Sequence, residues 1–213
     1  MTVVKICGLT NLADARWAWQ CGADLLGFIL VPASPRHVSP DLVAEIVGAL
    51  RAEGCAASLV GVLTGTDAGV IRGIADRCDL DIVQLHGCAA PDVARCIDGR
   101  AIVAWRIADS VPWPALHRSA AWAHLLDACD PSRLGGTGRA WRWELLSAGR
   151  AAGKGLRLIV AGGLTPNNVG EAIRRTRPWG VDVSSGVESS PGRKDWGRLE
   201  RFITNAREAA GEP

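Results

Sequence analysis

The chain has 213 residues, 48% of them hydrophobic and 22% charged, with a formal net charge of +2, which suits one globular domain over 1–213 and leaves little room for a second. Scattered Lys and Arg argue against a nucleic-acid footprint or an anionic-membrane patch, so any anionic ligand must be held by a local site. No stretch approaches the roughly 20 apolar residues of a membrane span, and the start MTVVKICGLT lacks a signal core, so a cytoplasmic protein is expected.

Along the chain, short β-branched runs alternate with longer alanine-rich amphipathic stretches. The runs are Val3–Ile6, Leu25–Leu30, Ser58–Leu63, Ile82–Leu85, Ala101–Arg106, His124–Asp127, Leu156–Ala161 and Val181–Ser184. Between them Asn11–Cys21, Pro40–Glu53, Asp67–Arg77, Pro91–Ile97, Trp143–Gly153 and Pro166–Thr176 read as helices, most with an N-cap residue or Pro near the start. After the fifth run Pro112 and Pro114 disfavour a regular helix, so that helix is expected to be short or irregular, if formed. Strand–helix alternation implies parallel strands, and eight such units point to a compact α/β protein, a (β/α)8 barrel. A doubly wound sheet would announce a GxGxxG turn after the first strand, and Cys7-Gly8-Leu9-Thr10 is not one. The chain is shorter than the ~250 residues typical of such barrels, so loops at one end should be short, and Ala209–Pro213 reads as a frayed tail.

In such barrels the chemistry sits where strands end and helices begin. Alternation puts Lys5 and Cys7 on one face, where an ammonium one layer below would favour the thiolate of a base; the plainer reading is a buried thiol above an internal ion pair. Arg36, in a loop stiffened by Pro32, Pro35 and Pro40, suits a planar anion such as a carboxylate, or else is a solvated arginine. His86 reads as a structural strand-end histidine. Asp127 ends the sixth run under the glycine-rich loop Gly135–Gly138, placed either to exchange a proton or to cap the next turn. Gly162 and Gly163 after the seventh run, and Ser184, Ser185 and Gly186 after the eighth, form consecutive small-residue loops where barrels bind phosphate. Asp182 shares strand parity with Ser184 and is placed for a sugar hydroxyl or a substrate nitrogen. Seven cysteines without a CxxC pair fit neither a disulfide framework nor a zinc site, so no metal is expected and most are core residues. Nine Trp beside two Phe and no Tyr do not by themselves indicate a ligand.

Seven ordered blocks carry a family resemblance: Lys5–Thr10, Gly27–Phe28 with Ser34–Val38, Val83–Gly87, Leu126–Asp127 with Gly135–Gly138, Ala161–Val169, Gly180–Glu188 and Pro191–Asp195. The chain resembles the phosphoribosylanthranilate isomerases. The resemblance implies an Amadori rearrangement of N-(5-phosphoribosyl)anthranilate to 1-(2-carboxyphenylamino)-1-deoxyribulose 5-phosphate in tryptophan biosynthesis. It implies Cys7 as general base, Asp127 as general acid and Arg36 as the holder of the anthranilate carboxylate. The chemistry agrees: opening an aminofuranose needs a proton on the ring oxygen, and the resulting imine acidifies the proton on the sugar's second carbon. Since the imine nitrogen is the substrate's own, no cofactor is expected. Trp141-Arg142-Trp143 departs from the family's Phe-Asp-Trp, and the linker Ala128–Leu134 is also unusual.

Two rivals remain. A histidine-pathway isomerase of the same fold performs the same rearrangement, but it pairs two aspartates and binds two phosphates. A non-catalytic phosphosugar-binding module would need neither Cys7 nor Asp127. Monomer and homodimer are both open.

Overall fold

The computed structural model describes residues 2–65, 67–87, 94, 97, 100–128, 145, 146, 149 and 152–211. Eight strands, β1 (Val3–Cys7), β2 (Leu25–Ile29), β3 (Ser58–Leu63), β4 (Ile82–His86), β5 (Ala101–Ile107), β6 (Ala123–Ala128), β7 (Leu158–Ala161) and β8 (Gly180–Val183), close a barrel in sequential order. Every pairing in it is parallel, and β8 returns to β1 with Lys5 in register with Asp182. The described helices are α1 (Leu12–Gln20), α2 (Pro40–Ala52), α3 (Ala68–Arg77), α4 (Trp113–Arg118), α5 (Val169–Thr176) and α6 (Trp196–Ala209).

The expected runs match these strands to within two residues at either end, and α4, which follows β5, is short at 6 residues. The expected helices at Pro91–Ile97 and Trp143–Gly153 fall largely outside the described residues, as does the Gly135–Gly138 loop. Two features are new: α6, which takes in Ala209 and so shortens the expected tail, and a hairpin of β9 (Glu188–Ser190) and β10 (Arg193–Lys194). Local chemistry sets the helix starts. Asn11, Ser39, Asp67 and Asp195 each accept a backbone N–H of the first turn, and Pro40 follows Ser39 where its missing N–H costs nothing.

The two-residue strand period divides the apolar residues into two cores. Leu25, Val60, Ile82, Ile102, Leu125 and Ile159 fill the lumen. Their alternates, among them Ile6, Leu26, Phe28, Leu59 and Leu85, face outward to meet Val43, Leu50, Leu199 and Phe202 of the helices. Each such side chain contributes roughly 1.5–3 kcal/mol by leaving water. At the amino-terminal end of the strands Trp122 and Trp179 meet edge to face, centroids 5.1 Å apart, beneath the Arg157 guanidinium, which stands 4.9 and 5.8 Å from them. Asp24 and Asp81 accept the Val4 and Leu59 amides at 2.7 Å each and are paired with Arg207 and Arg51. That end is closed by packing, which leaves the opposite end for chemistry.

Candidate active site

Strand parity brings Lys5, Cys7, Gly27, Gln84, His86, Arg106, Asp127 and Asp182 onto the lumen side of the barrel, toward its carboxyl end. Lys5 is fully buried and its ammonium lies 2.9 Å from Asp182 Oδ1. Gly27 makes room for the neighbouring pair: a Cβ there would stand 3.0 Å from Cys7 Sγ and 3.2 Å from Lys5 Nζ. Thiol and ammonium therefore share one small pocket, as strand alternation predicted.

The electrostatics add a larger opposing effect to the one expected from Lys5. Burial pushes the Cys7 thiol above its ordinary value; Lys5 and Lys194 pull it down and Asp182 pushes it up, but desolvation wins. Lys5 thus favours the thiolate only in part, because the cost of drying an anion exceeds what one ammonium already engaged by Asp182 returns. The Asp127 carboxyl is shifted too: burial, then the Asp182 charge, raise it to about 6 against the opposing pull of Arg106. His86 is drawn toward the neutral form by burial and by Arg106.

Arg36 stands over this pocket with its guanidinium already gripped. Nε donates to Glu188 Oε1 at 2.8 Å and Nη2 to Oε2 at 2.7 Å, the two-point geometry of a planar fork on a carboxylate. Glu188 also accepts from Lys194 Nζ at 2.9 Å. Gly8, at φ +72°, lies beneath: a Cβ there would come within 2.7 Å of both Arg36 Cδ and Ser184 Oγ. Among the described residues, Ser184 Oγ and Gln84 Oε1 are the buried side-chain polar atoms without a hydrogen-bond partner. Unpaired polar atoms are costly inside a protein and are found where a ligand completes them.

The two small-residue loops meet each other. Gly162 and Gly163 take φ of +86° and +65°, and a Cβ on Gly186 would fall 1.9 Å from the Leu164 carbonyl, so only glycine lets the loops after β7 and β8 pack together. Asn168 ties the first of them by accepting from the Thr165 amide and donating to the Gly163 carbonyl. Ser185–Val187 forms a single 3-10 turn whose leading amides lack intrahelical partners by construction. Asp182 is brought to the pocket, though its Oδ1 is engaged by Lys5.

Sequence reasoning did not single out Arg106, Gln84, Glu188 or Lys194 as site residues. The parity of Ala104 and Arg106 with Asp127 was a usable signal for Arg106; nothing local marks the Glu188–Lys194 pair, whose partners are distant in the chain. Among the described residues no cluster of His, Cys, Asp and Glu is arranged to hold a metal ion, and Cys7, Cys21, Cys55 and Cys78 are free. No described helix is long and apolar enough to cross a membrane.

Residues 4–205 match the family described as N-(5'-phosphoribosyl)anthranilate (PRA) isomerase. The N-(5'-phosphoribosyl)anthranilate isomerase of Geobacter sulfurreducens is 43% identical over 207 residues, covering 97% of this chain and 99% of its own. That of Pelobacter propionicus is 44% identical over 212 residues, covering 100% and 99%. Among solved structures, the phosphoribosyl anthranilate isomerase of Thermotoga maritima superposes with a TM-score of 0.85 at 36% identity, over 98% of this chain and 100% of that one. Another phosphoribosyl anthranilate isomerase, in complex with reduced 1-(o-carboxyphenylamino)-1-deoxyribulose 5-phosphate, superposes with a TM-score of 0.81 at 34% identity, again over 98% and 100%.

Proposed function

This chain belongs to the N-(5'-phosphoribosyl)anthranilate isomerase family and is an isomerase of tryptophan biosynthesis, and we propose that Cys7 is its general base, Asp127 its general acid and Arg36 the receiver of the anthranilate carboxylate. One observation carries the assignment: a carboxyl that burial raises to about 6 ends β6, at the same mouth as the Cys7 thiol, which shares a small pocket with the Lys5 ammonium. At pH 7 roughly a tenth of the molecules then hold the Asp127 proton, a workable fraction for a general acid.

In this scheme Asp127 protonates the ring oxygen as the bond from that oxygen to the first sugar carbon breaks, leaving an imine. Cys7, in the minor thiolate form that Lys5 favours against burial, takes the proton from the second carbon, giving an enolamine. The sulfur-borne proton then passes to the first carbon and the enol proton returns to the Asp127 carboxylate, so a ketone forms and both groups are reset. Gly162, Gly163, Ser184, Ser185 and Gly186 would receive the phosphate, a reading supported by Ser184 Oγ, which is buried without a partner among the described residues. Asp182 offers its second carboxylate oxygen to a sugar hydroxyl. Held at both ends, the sugar lies between acid and base. A cytoplasmic setting, where thiols stay reduced, suits a reaction that needs Cys7 free.

The test is conversion of freshly generated phosphoribosylanthranilate, followed by loss of its fluorescence. Cys7→Ser and Asp127→Asn are each expected to slow turnover by about 100- to 10,000-fold while still binding a reduced product analogue. A variant that turns over like the parent removes that residue from the pair.

A further inference from the structure

The hairpin after β8 holds a buried ion pair that the reaction scheme leaves unused. Lys194 is 6% exposed, and its ammonium donates to the Cys7 carbonyl at 2.6 Å, to the Ser184 carbonyl at 3.2 Å and to Glu188 Oε1 at 2.9 Å. An ammonium has three donors, so all are engaged. Glu188, 7% exposed, takes the Arg36 fork on its other side. One carboxylate thus links two cations, and through them the peptide bearing Cys7, the peptide of Ser184 and the guanidinium over the pocket. Asp14 anchors the arrangement from α1, accepting the Lys194 amide at 3.0 Å and the Trp196 indole at 2.8 Å.

Burying such a cluster is costly, and apolar residues of the same volume are often as stable, so what the cluster supplies is geometry. That geometry bears on the two groups whose placement the isomerisation requires. The Lys194 hydrogen bond to the Cys7 carbonyl fixes the peptide plane that follows the Cα bearing Sγ, and the Glu188 fork, which takes Nε and Nη2, leaves Nη1 of Arg36 outside that pairing.

We propose that Lys194 and Glu188 are positioning residues for the isomerisation: Lys194 sets the direction of Cys7 Sγ through its peptide carbonyl, and Glu188 sets the attitude of Arg36 toward the substrate carboxylate. The proposal rests on the assignment of Cys7 as base and Arg36 as carboxylate receiver. A reacting atom displaced by about 1 Å costs on the order of a hundredfold, which bounds the expected effects.

Lys194→Met, Glu188→Gln and the double variant, which removes both charges together, are compared with the parent using ordinary substrate and substrate deuterated at the second sugar carbon. Lys194→Met is expected to lower kcat by about 10- to 100-fold with KM within about threefold, and to enlarge the isotope effect on kcat as proton abstraction becomes slower. Glu188→Gln is expected to raise KM by about tenfold with the isotope effect unchanged. Folded variants with kcat, KM and isotope effect like the parent overturn the proposal, and so does a lowered melting temperature with kinetics intact, since that is a structural role alone. If Lys194→Met does not fold, the double variant is read in its place by the same criteria, and Glu188→Gln, which keeps size and an acceptor, tests the Arg36 half. Cys7→Ala separates the two levels: turnover by that variant overturns the base assignment, whereas parent-like Lys194 variants beside an inactive Cys7→Ala overturn only the positioning role.

Discussion

The two ends of this barrel are built from the same strands and solve opposite problems. At the amino-terminal end Arg157 lies over Trp122 and Trp179, and Asp24 and Asp81 have both a backbone amide and an arginine as partners. Toward the carboxyl end a lysine is fully buried, a carboxyl is held well above its usual range, and Ser184 Oγ and Gln84 Oε1 have no partner among the described residues. The first end is assembled for stability. The second carries the unfavourable terms, and the contrast marks where a ligand is meant to complete the structure.

Asp127→Asn breaks this contrast most strongly, because catalysis and stability should move in opposite directions. Activity should fall by at least about a hundredfold. The stability effect follows from the raised carboxyl: the folded protein binds this proton more tightly than the unfolded chain does, so the stability present below pH 3.8 is lost as pH rises through about 6. Near pH 7.5 the ionised side chain therefore costs at most about 3 kcal/mol, which an amide avoids. Urea midpoints for the variant should exceed the parent's at pH 7.5, with the margin closing toward pH 4. A margin independent of pH would mean that burial does not burden this group.

His124 sharpens the comparison from outside either end. It faces the helix layer, buried, and accepts the Trp105 indole N–H on Nδ1 at 3.1 Å; burial, with a smaller push from His117, lowers its pKa to about 4. Its contribution runs the other way: stability present above about pH 6.5 is lost as pH falls toward 4, at about 1.4 kcal/mol per unit. Between pH 4 and 6 the Asp127 and His124 terms largely offset each other. The parent should therefore show a shallow stability profile there, Asp127→Asn a steep acid loss, and His124→Gln a loss on the alkaline side. Parallel profiles for all three proteins would refute this pairing of opposed groups.

Arg36→Met comes next in size. On the proposed role of Arg36, losing a charge-assisted contact to the substrate carboxylate, worth about 1.5–3 kcal/mol, should raise KM by roughly 10- to 100-fold with a smaller change in kcat. A collapse of kcat at constant KM would instead place Arg36 at the reacting atoms.

The barrel was readable because its strands alternate between lumen and helix layer, so that Lys5, Cys7, Asp127 and Asp182 declared their common side by parity alone. The loops at 162–163 and 184–186 were readable because glycine and serine in consecutive strand-to-helix turns have few other uses, and Gly186 proves irreplaceable where it meets the Leu164 carbonyl. Terms that depend on how dry a site is were not readable: the Cys7 thiol shares a pocket with Lys5 as expected, yet its burial outweighs that charge. Contacts between remote segments were equally hidden. Lys194 meets the Cys7 carbonyl across nearly the whole chain, and β9 and β10 are too short to leave a periodic signal. By contrast α6 was legible in principle, with Leu199, Phe202, Ile203 and Ala206 on one buried face behind an Asp195 cap.

Six of the nine tryptophans, unexplained by composition, acquire a structural account. Trp17 stacks on Trp196 at 5.0 Å, Trp105 serves His124, Trp113 lies against Gly149 and Gly153, and Trp122 with Trp179 closes the barrel end. The smallest expected effect tests whether that closure is independent of the chemistry. Arg157→Met keeps an unbranched apolar stem and removes the guanidinium over both rings, so it should lose a cation–π contribution of about 0.5–2 kcal/mol and lower the urea midpoint accordingly. Because the charge acts on two rings remote from Cys7 and Asp127, kcat and KM should stay at the parent's values. A change in kcat without a change in stability would mean that the two ends are coupled through the lumen, and the division of labour between them would have to be abandoned.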